Sequence, residues 1–261
     1  MPLKLVFTLC TIFLLIASGA LGALTAEQIV SQANQASYYA GKDGRANVKM
    51  TITDKNGGTR NREFTILRLN GQKGDQKFYV YFRAPADVHQ MVFLVWKNIE
   101  RDDDRWLWLP ALNLQKRIAP GDKRTSFVGS DFLYEDVSGR GIDEDRHELV
   151  EEKEDYYLIK SVPKDPSSVE FTWFQTWIDK ETFLPKRAEY YQRNGNRYRE
   201  VEAVKIETVG GFPTVTIAEA RDLNSGSVTR NSFSEIEYNI GLQERIFTER
   251  FLRRPPREIS R

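Results

Sequence analysis

The sequence predicts a mainly β protein of the α+β type, with one large antiparallel sheet of about ten or more strands and few helices. Three observations carry this prediction. From Val48 onwards, apolar and polar residues alternate with the period of two that a half-buried strand requires. The connections are short and rich in Gly, Asn, Asp and Pro, which is typical of antiparallel neighbours. Helical spacing occurs only near the two ends of the chain.

The first element after the N-terminal segment is a predicted helix. Thr25 and Gln28 stand at the two positions of a capping box, where each side chain can satisfy an exposed backbone donor. Ile29 and Ala33 then recur on one face at helical spacing. Glycines begin at Gly41, so the helix should end near that point.

The strands follow one another with little between them. Val48, Met50 and Ile52 alternate with polar residues up to residues 55–58 (Lys-Asn-Gly-Gly), a strong hairpin signal because Asn-Gly adopts the positive φ angles of a tight turn. The return strand contains Phe64. Further predicted strands span residues 77–83, 91–97, 105–109, 114–119, 148–152, 156–162, 169–179, 185–192, 198–208, 214–222 and 228–236.

Two segments interrupt this rhythm. Residues 121–140 are polar and contain glycines, so they predict a long loop with a helical turn at residues 131–136. Residues 242–252 place apolar side chains on one side of a short helix, after which residues 253–256 should form an extended, exposed tail. An open sheet of this size tends to curl, and so few helices leave it either a thin core or a cavity.

The N-terminus has the three parts of a secretory signal peptide. Lys4 supplies the positive charge, residues 5–16 form an uncharged apolar core, and residues 17–23 are small enough for a peptidase. We expect cleavage after Gly22, with Ala20 and Ala23 as neighbouring alternatives. A membrane anchor is the competing interpretation, but spanning a bilayer takes roughly 20 apolar residues. We therefore predict a signal peptide at 1–22 and a single domain at 23–261.

The composition excludes several classes of protein. Cys10 is the one cysteine of the chain, and it lies inside the apolar core of the signal, so neither a lipid anchor nor a disulfide is expected. The net charge is +1, which argues against a nucleic-acid partner. His89 and His147 are isolated, and residues 102–104 (Asp-Asp-Asp) lack the spacing of a calcium loop. We expect no enzyme activity, no metal and no cofactor.

Aromatic residues on the strands suggest a lined cavity, although a filled core is the alternative for each of them. They share strand faces, and an apolar ligand pocket needs few polar groups. The candidate cavity residues are Phe78, Val80, Phe82, Phe93, Trp106, Trp108, Phe171, Trp173 and Trp177.

One block of the chain resembles a known family. It comprises residues 93–97 (Phe-Leu-Val-Trp-Lys), 104–111 (Asp-Arg-Trp-Leu-Trp-Leu-Pro-Ala), 116–118, 122–124, 126–127, 129–132 and 134–136, and Phe247-Thr248 fits as well. These short motifs in this order resemble the LolA-like outer-membrane lipoprotein-sorting proteins of Gram-negative bacteria. The specific motif covers residues 93–136, and the similarity in layout covers most of the chain after the signal.

The resemblance implies an incomplete antiparallel β-barrel wrapped around a few helices, with a hydrophobic cavity between sheet and helices. It implies a soluble periplasmic carrier that shields acyl chains of a lipid or lipoprotein on the way to the outer membrane. Its partners would be an inner-membrane transporter of the RND or ABC type and an outer-membrane acceptor. The alternative is an RseB-like sensor or an accessory subunit that regulates a membrane partner.

Within the motif, we expect Lys123 and Arg124 to contact a headgroup or a partner, while Phe127 and Phe132 hold the loop against the sheet. The alternative is a structural plug whose charges pair internally, with Arg124 bound to Asp131 or Glu135.

Overall fold

The computed structural model describes residues 23–259, and the signal-peptide prediction for residues 1–22 lies outside them. The described residues form one antiparallel sheet of thirteen strands, which confirms the mainly β prediction. The strands are β1 (Asp43–Thr53), β2 (Thr59–Asn70), β3 (Gln76–Ala84), β4 (Val92–Lys97), β5 (Asp104–Leu109), β6 (Leu114–Ile118), β7 (Asp145–Glu152), β8 (Tyr156–Pro163), β9 (Trp173–Asp179), β10 (Pro185–Tyr191), β11 (Arg197–Val209), β12 (Phe212–Asp222) and β13 (Ser227–Tyr238).

The helices are few and short. They are α1 (Ala26–Tyr38), α2 (Tyr134–Ser138) and α3 (Arg250–Arg253), with 3₁₀ turns at Gln72–Gly74, Pro110–Leu112, Pro120–Asp122, Ile142–Glu144, Glu244–Ile246 and Arg257–Ile259. Within residues 23–259, none of the helices has the length and apolar character that crossing a membrane would take.

The strand order is a meander with one long crossing. The chain runs outward from β1 to β6, crosses to β7 at the opposite edge of the sheet, and returns strand by strand to β13, which pairs with β1. The edge strands β6 and β7 are not paired with each other, so the barrel is incomplete, as predicted. Side chains of β2 and β3 and of β9 to β13 line one common cavity, so the sheet curves around it. We call that face of the sheet the inner face.

The segment that joins β6 to β7, residues 119–144, lies against the inner face, and we call it the plug. The Phe127 ring packs against Phe64, Phe82 and Phe93, with ring centroids 5.5–6.2 Å apart. The predicted helical turn begins later than expected, at Tyr134, because the Asp131 carboxylate instead accepts hydrogen bonds from the Ser227 and Thr229 hydroxyls of β13.

Helix α1 fills the other end of the inner face. Its capping box is present: the Gln28 amide donates to the Thr25 hydroxyl, and the Thr25 amide donates to the Gln28 side chain. Ile29 is fully buried in a cluster with Ile159 and Ile178 of β8 and β9. This packing confirms the helix and its apolar face.

The C-terminal prediction was wrong in part. Residues 242–259, which we call the strap, contain three short helical pieces rather than one helix. Residues 253–255 are exposed as expected, whereas Pro256 and Ile259 are buried. The strap covers the outer face of β2 to β5, which carries apolar side chains such as Tyr79 and Trp106 at alternate positions. Because that face must be shielded from water, the segment follows the sheet instead of continuing as a straight helix.

Candidate functional site

A cavity of about 500 Å³ lies between the inner face of the sheet and the plug. Its walls come from β1 to β3 on one side and β9 to β13 on the other, with the last turn of α1 and the plug above them. The volume falls within the range of about 300–1,000 Å³ that is typical of small-molecule sites. The apolar lining residues include Phe64, Ile66, Phe78, Val80, Phe127, Phe132, Val137, Phe174, Leu184, Val201, Ala218, Phe233 and Ile236.

The cavity has a base and a mouth. On β1 the lining residues end at Ala46, and further along the strand Val48 and Met50 pack into the core that the plug completes. Asn231 of β13 pairs with Met50 in register, so it marks the level of this closed end, the base. At the opposite end, lining residues such as Val215, Ile236 and Tyr238 are partly exposed, and we call this end the mouth.

A cluster of charged side chains holds the plug in place. The Glu135 carboxylate is only 2% exposed. It pairs with Arg124, with Lys123 at 3.2 Å and with Arg140 at 3.3 Å. Burial alone would raise the pKa of Glu135, but the three cations outweigh it and hold that pKa at about 2. The carboxylate is therefore ionised, and it ties three parts of the plug together.

Lys123 and Arg124, the predicted headgroup or partner contacts, use their charges within the protein. Lys123 also pairs with Glu144 at 2.6 Å, and Arg124 pairs with Glu170 at 2.8 Å while lying over the Phe171 ring at 4.7 Å. The Arg124–Glu135 pair is one of the two internal pairs that the plug interpretation predicted; Asp131, the other candidate, bonds to β13 instead.

The predicted cavity residues divide between the two faces of the sheet. Phe78 and Val80 line the cavity, as do Phe127 and Phe132 of the plug. Phe82 and Phe93 face the same way, but they are completely buried in the core beside the cavity rather than in its wall.

The remaining candidates lie elsewhere. Trp106 and Trp108 are on the outer face beneath the strap. Phe171 is buried beneath Arg124. Trp173 and Trp177 are on the outer face of β9, because Phe174 and Thr176 of that strand face the cavity.

Sequence reasoning did not select several wall residues, of which Phe64, Phe174 and Phe233 are the largest apolar ones. Alternation groups Phe64 with Ile66, so the pattern contained a usable signal there. On β9, apolar side chains occupy both faces, and alternation cannot tell which face is the inner one.

Comparison with known proteins agrees with this geometry. A family model described as "Uncharacterized protein" matches residues 74–254, more than half of the chain. A DUF1329 family protein from Desulfovibrio piger is 28% identical, with a TM-score of 0.80 over 87% of this chain and 97% of its own. The chain belongs to the family whose model matches residues 74–254, and the DUF1329 family protein shares its fold. No match is found among curated protein sequences.

Two more distant structures show how widely this LolA-like fold is shared. A structure described as an outer membrane lipoprotein-sorting protein domain from Vibrio parahaemolyticus is 24% identical, with a TM-score of 0.81 over 88% of this chain and 98% of its own. A LolA superfamily protein from Nitrosomonas europaea is 19% identical, with a TM-score of 0.68 over 88% of this chain and all of its own.

Proposed function

We propose that this LolA-like chain is a periplasmic carrier that binds an acyl chain of a lipid or lipoprotein in its cavity and carries it towards the outer membrane. The observation that supports this most directly is the cavity of about 500 Å³ with mainly apolar walls. Removing an acyl chain from water contributes about 0.8 kcal/mol per buried methylene, so such a wall supplies affinity without any polar anchor. The proposal involves no covalent chemistry and no cofactor.

The first experiment asks whether the protein binds such a ligand. Protein purified from a Gram-negative periplasm is extracted with organic solvent, and the extract is analysed by mass spectrometry. Delipidated protein is then titrated with a fluorescent fatty acid. We expect bound lipid in the extract and saturable binding of the probe; an empty extract together with no probe binding contradicts the proposal.

The second experiment fills the cavity. Ala188 lies in the cavity wall on β10, between Thr176 and Val201 of the neighbouring strands. Ala188→Trp occupies space that the ligand needs, so we expect at least about 10-fold weaker probe binding, which corresponds to about 1.4 kcal/mol. Val150→Trp, at an exposed position of β7, is the matched control and should bind as the wild type does.

Trp108→Ala tests whether the aromatic cluster on the outer face contributes to ligand binding. Trp108 lies beneath the strap, so its loss should lower stability and leave probe affinity unchanged. Unchanged affinity in Ala188→Trp, with a native circular dichroism spectrum, would place the ligand outside this cavity.

An assay of lipid transfer between vesicles distinguishes a carrier from a sensor. A carrier moves fluorescent lipid from donor vesicles to acceptor vesicles at a rate that rises with protein concentration, whereas a sensor binds the lipid and retains it. An inner-membrane transporter of the RND or ABC type and an outer-membrane acceptor are the partners that we propose for loading and delivery.

A further inference from the structure

The base of the cavity contains a polar side chain with an unfilled hydrogen-bonding position. Asn231 is 8% exposed and lines the cavity from β13. Its Oδ1 atom is buried and accepts no hydrogen bond from any described residue. Its cross-strand neighbours are Met50 and Ala218, which offer no polar side-chain group.

Two other polar groups of the lining are committed to the protein. The Thr214 hydroxyl contacts the Phe212 carbonyl and the Tyr238 hydroxyl, both at 2.9 Å. Arg68 donates to the backbone carbonyls of Tyr38 and Ala40. Asn231 differs from these because its side chain lines the cavity while no described residue donates a hydrogen bond to Oδ1.

A second polar side chain of the lining is that of Tyr190. The Tyr190 side chain lines the cavity from β10 and contacts Arg199, which pairs with Asp136 of the plug. Within residues 23–259, its hydroxyl makes no hydrogen bond. Tyr190 therefore adds a second hydrogen-bonding group to the lining on the side formed by β9 to β13.

A buried polar group without a partner lowers stability, so its retention beside a ligand space points to a partner in the ligand. A plain alkyl chain offers none. A hydroxyl both donates and accepts, so it satisfies a carboxamide whichever way round its oxygen and nitrogen lie. We infer that the cavity takes a lipid whose inserted chain carries a hydroxyl, and that Asn231 receives that hydroxyl; this inference rests on the proposed acyl-chain binding.

The place of Asn231 also fixes the position of the hydroxyl along the chain. A lipid that enters through the mouth with its apolar end leading brings the distal half of the chain to the base. A hydroxyl near the carboxyl group would remain near the mouth instead. The preferred ligand is therefore hydroxylated away from its headgroup.

The test compares three fatty acids of equal length as competitors of a fluorescent fatty acid bound to the delipidated full protein. They are octadecanoic acid, 12-hydroxyoctadecanoic acid and 2-hydroxyoctadecanoic acid. For the wild type, we expect the 12-hydroxy acid to displace the probe at about 10-fold lower concentration than the other two. Equal potency of all three overturns the inference while leaving acyl-chain binding intact, and failure of all three to compete contradicts the proposed function itself.

A substitution tests whether Asn231 causes the preference for the 12-hydroxy acid. Asn231→Leu keeps a similar side-chain size without the amide, so it should lose the preference for the 12-hydroxy acid and bind octadecanoic acid at least as well as the wild type. Asn196→Leu, in the exposed β10–β11 turn, is the matched control and should keep the preference. If folded Asn231→Leu still prefers the 12-hydroxy acid, Asn231 does not recognise the hydroxyl. The wild-type comparison stands even if that variant does not fold.

Discussion

At the scale of single residues, the carboxylate of Glu135 is a buried charge held by three cations. It is buried among Lys123, Arg124 and Arg140, and those residues in turn contact Glu144, Glu170 and Asp145. Removing one partner from a buried ionic cluster leaves uncompensated charge, which is more costly than losing a surface pair. The cluster therefore contributes chiefly by fixing where the plug lies.

Glu135→Gln tests this contribution. The variant leaves three cations facing a neutral amide, so we expect a loss of about 3–5 kcal/mol in the free energy of unfolding at pH 7. Urea denaturation measures it. Glu148→Gln, at an exposed position of β7, is the control and should change stability by less than about 0.5 kcal/mol.

The same carboxylate gives stability a pH dependence. Its pKa in the folded protein, about 2, is below the ordinary value of 4.5. A depressed pKa contributes stability that is complete above the unfolded pKa and is lost as pH falls through the folded one. Between about pH 4.5 and pH 2, wild-type stability should therefore fall more steeply than that of Glu135→Gln. Parallel curves for the two proteins would show that Glu135 is not stabilised by its cations.

At the scale of elements, the strap shields the apolar outer face of β2 to β5 from water. Phe247 is fully buried on the outer face, and its carbonyl accepts a hydrogen bond of 2.7 Å from the indole of Trp96. Tyr79 donates a similar bond of 2.7 Å to the Phe251 carbonyl. The strap is thus bound by apolar contacts and by side chains that reach its backbone.

Phe247→Ala should cost about 3–5 kcal/mol of stability, because it leaves a cavity in a packed cluster. Probe binding should not change in protein that remains folded, since Phe247 is on the opposite face from the ligand cavity. Thermal unfolding followed by a binding titration checks both statements. Arg254→Ala, an exposed position of the same segment, is the control; weaker probe binding by Phe247→Ala would link the strap to the cavity.

The positions of the strands and helices were more predictable than which face of each strand points inward. Alternation and turn residues located the strands to within a few residues, and the capping box of α1 is present as Thr25 and Gln28 predicted. Alternation also grouped Trp106 with Trp108 and Phe78 with Val80 correctly. It could not determine which group faces inward, because β3 to β5 are apolar on both faces and the covering segments are far away in sequence.

At the scale of the whole molecule, ligand binding should appear as added stability. A ligand that binds only the folded state raises the free energy of unfolding by about 2.7 kcal/mol at 100 times its dissociation constant. For a protein of this size, that corresponds to a rise in Tm of about 5–10 °C. We expect octadecanoic acid to produce this shift in the wild type and a much smaller one in Ala188→Trp, as measured by differential scanning fluorimetry. An equal shift in both proteins would indicate binding outside the cavity.

The plug joins the two edge strands of an open sheet, and it is also fastened to strands between them. Phe127 packs on β2 to β4, Asp131 bonds to Thr229 of β13, and Asp136 pairs with Arg199 of β11. These attachments bridge opposite walls of the curved sheet at the base. The walls cannot spread there without breaking polar contacts, and these contacts lie at the base rather than at the mouth. Ligands of different cross-section would therefore be accommodated by movement of the walls at the mouth, while the base stays fixed.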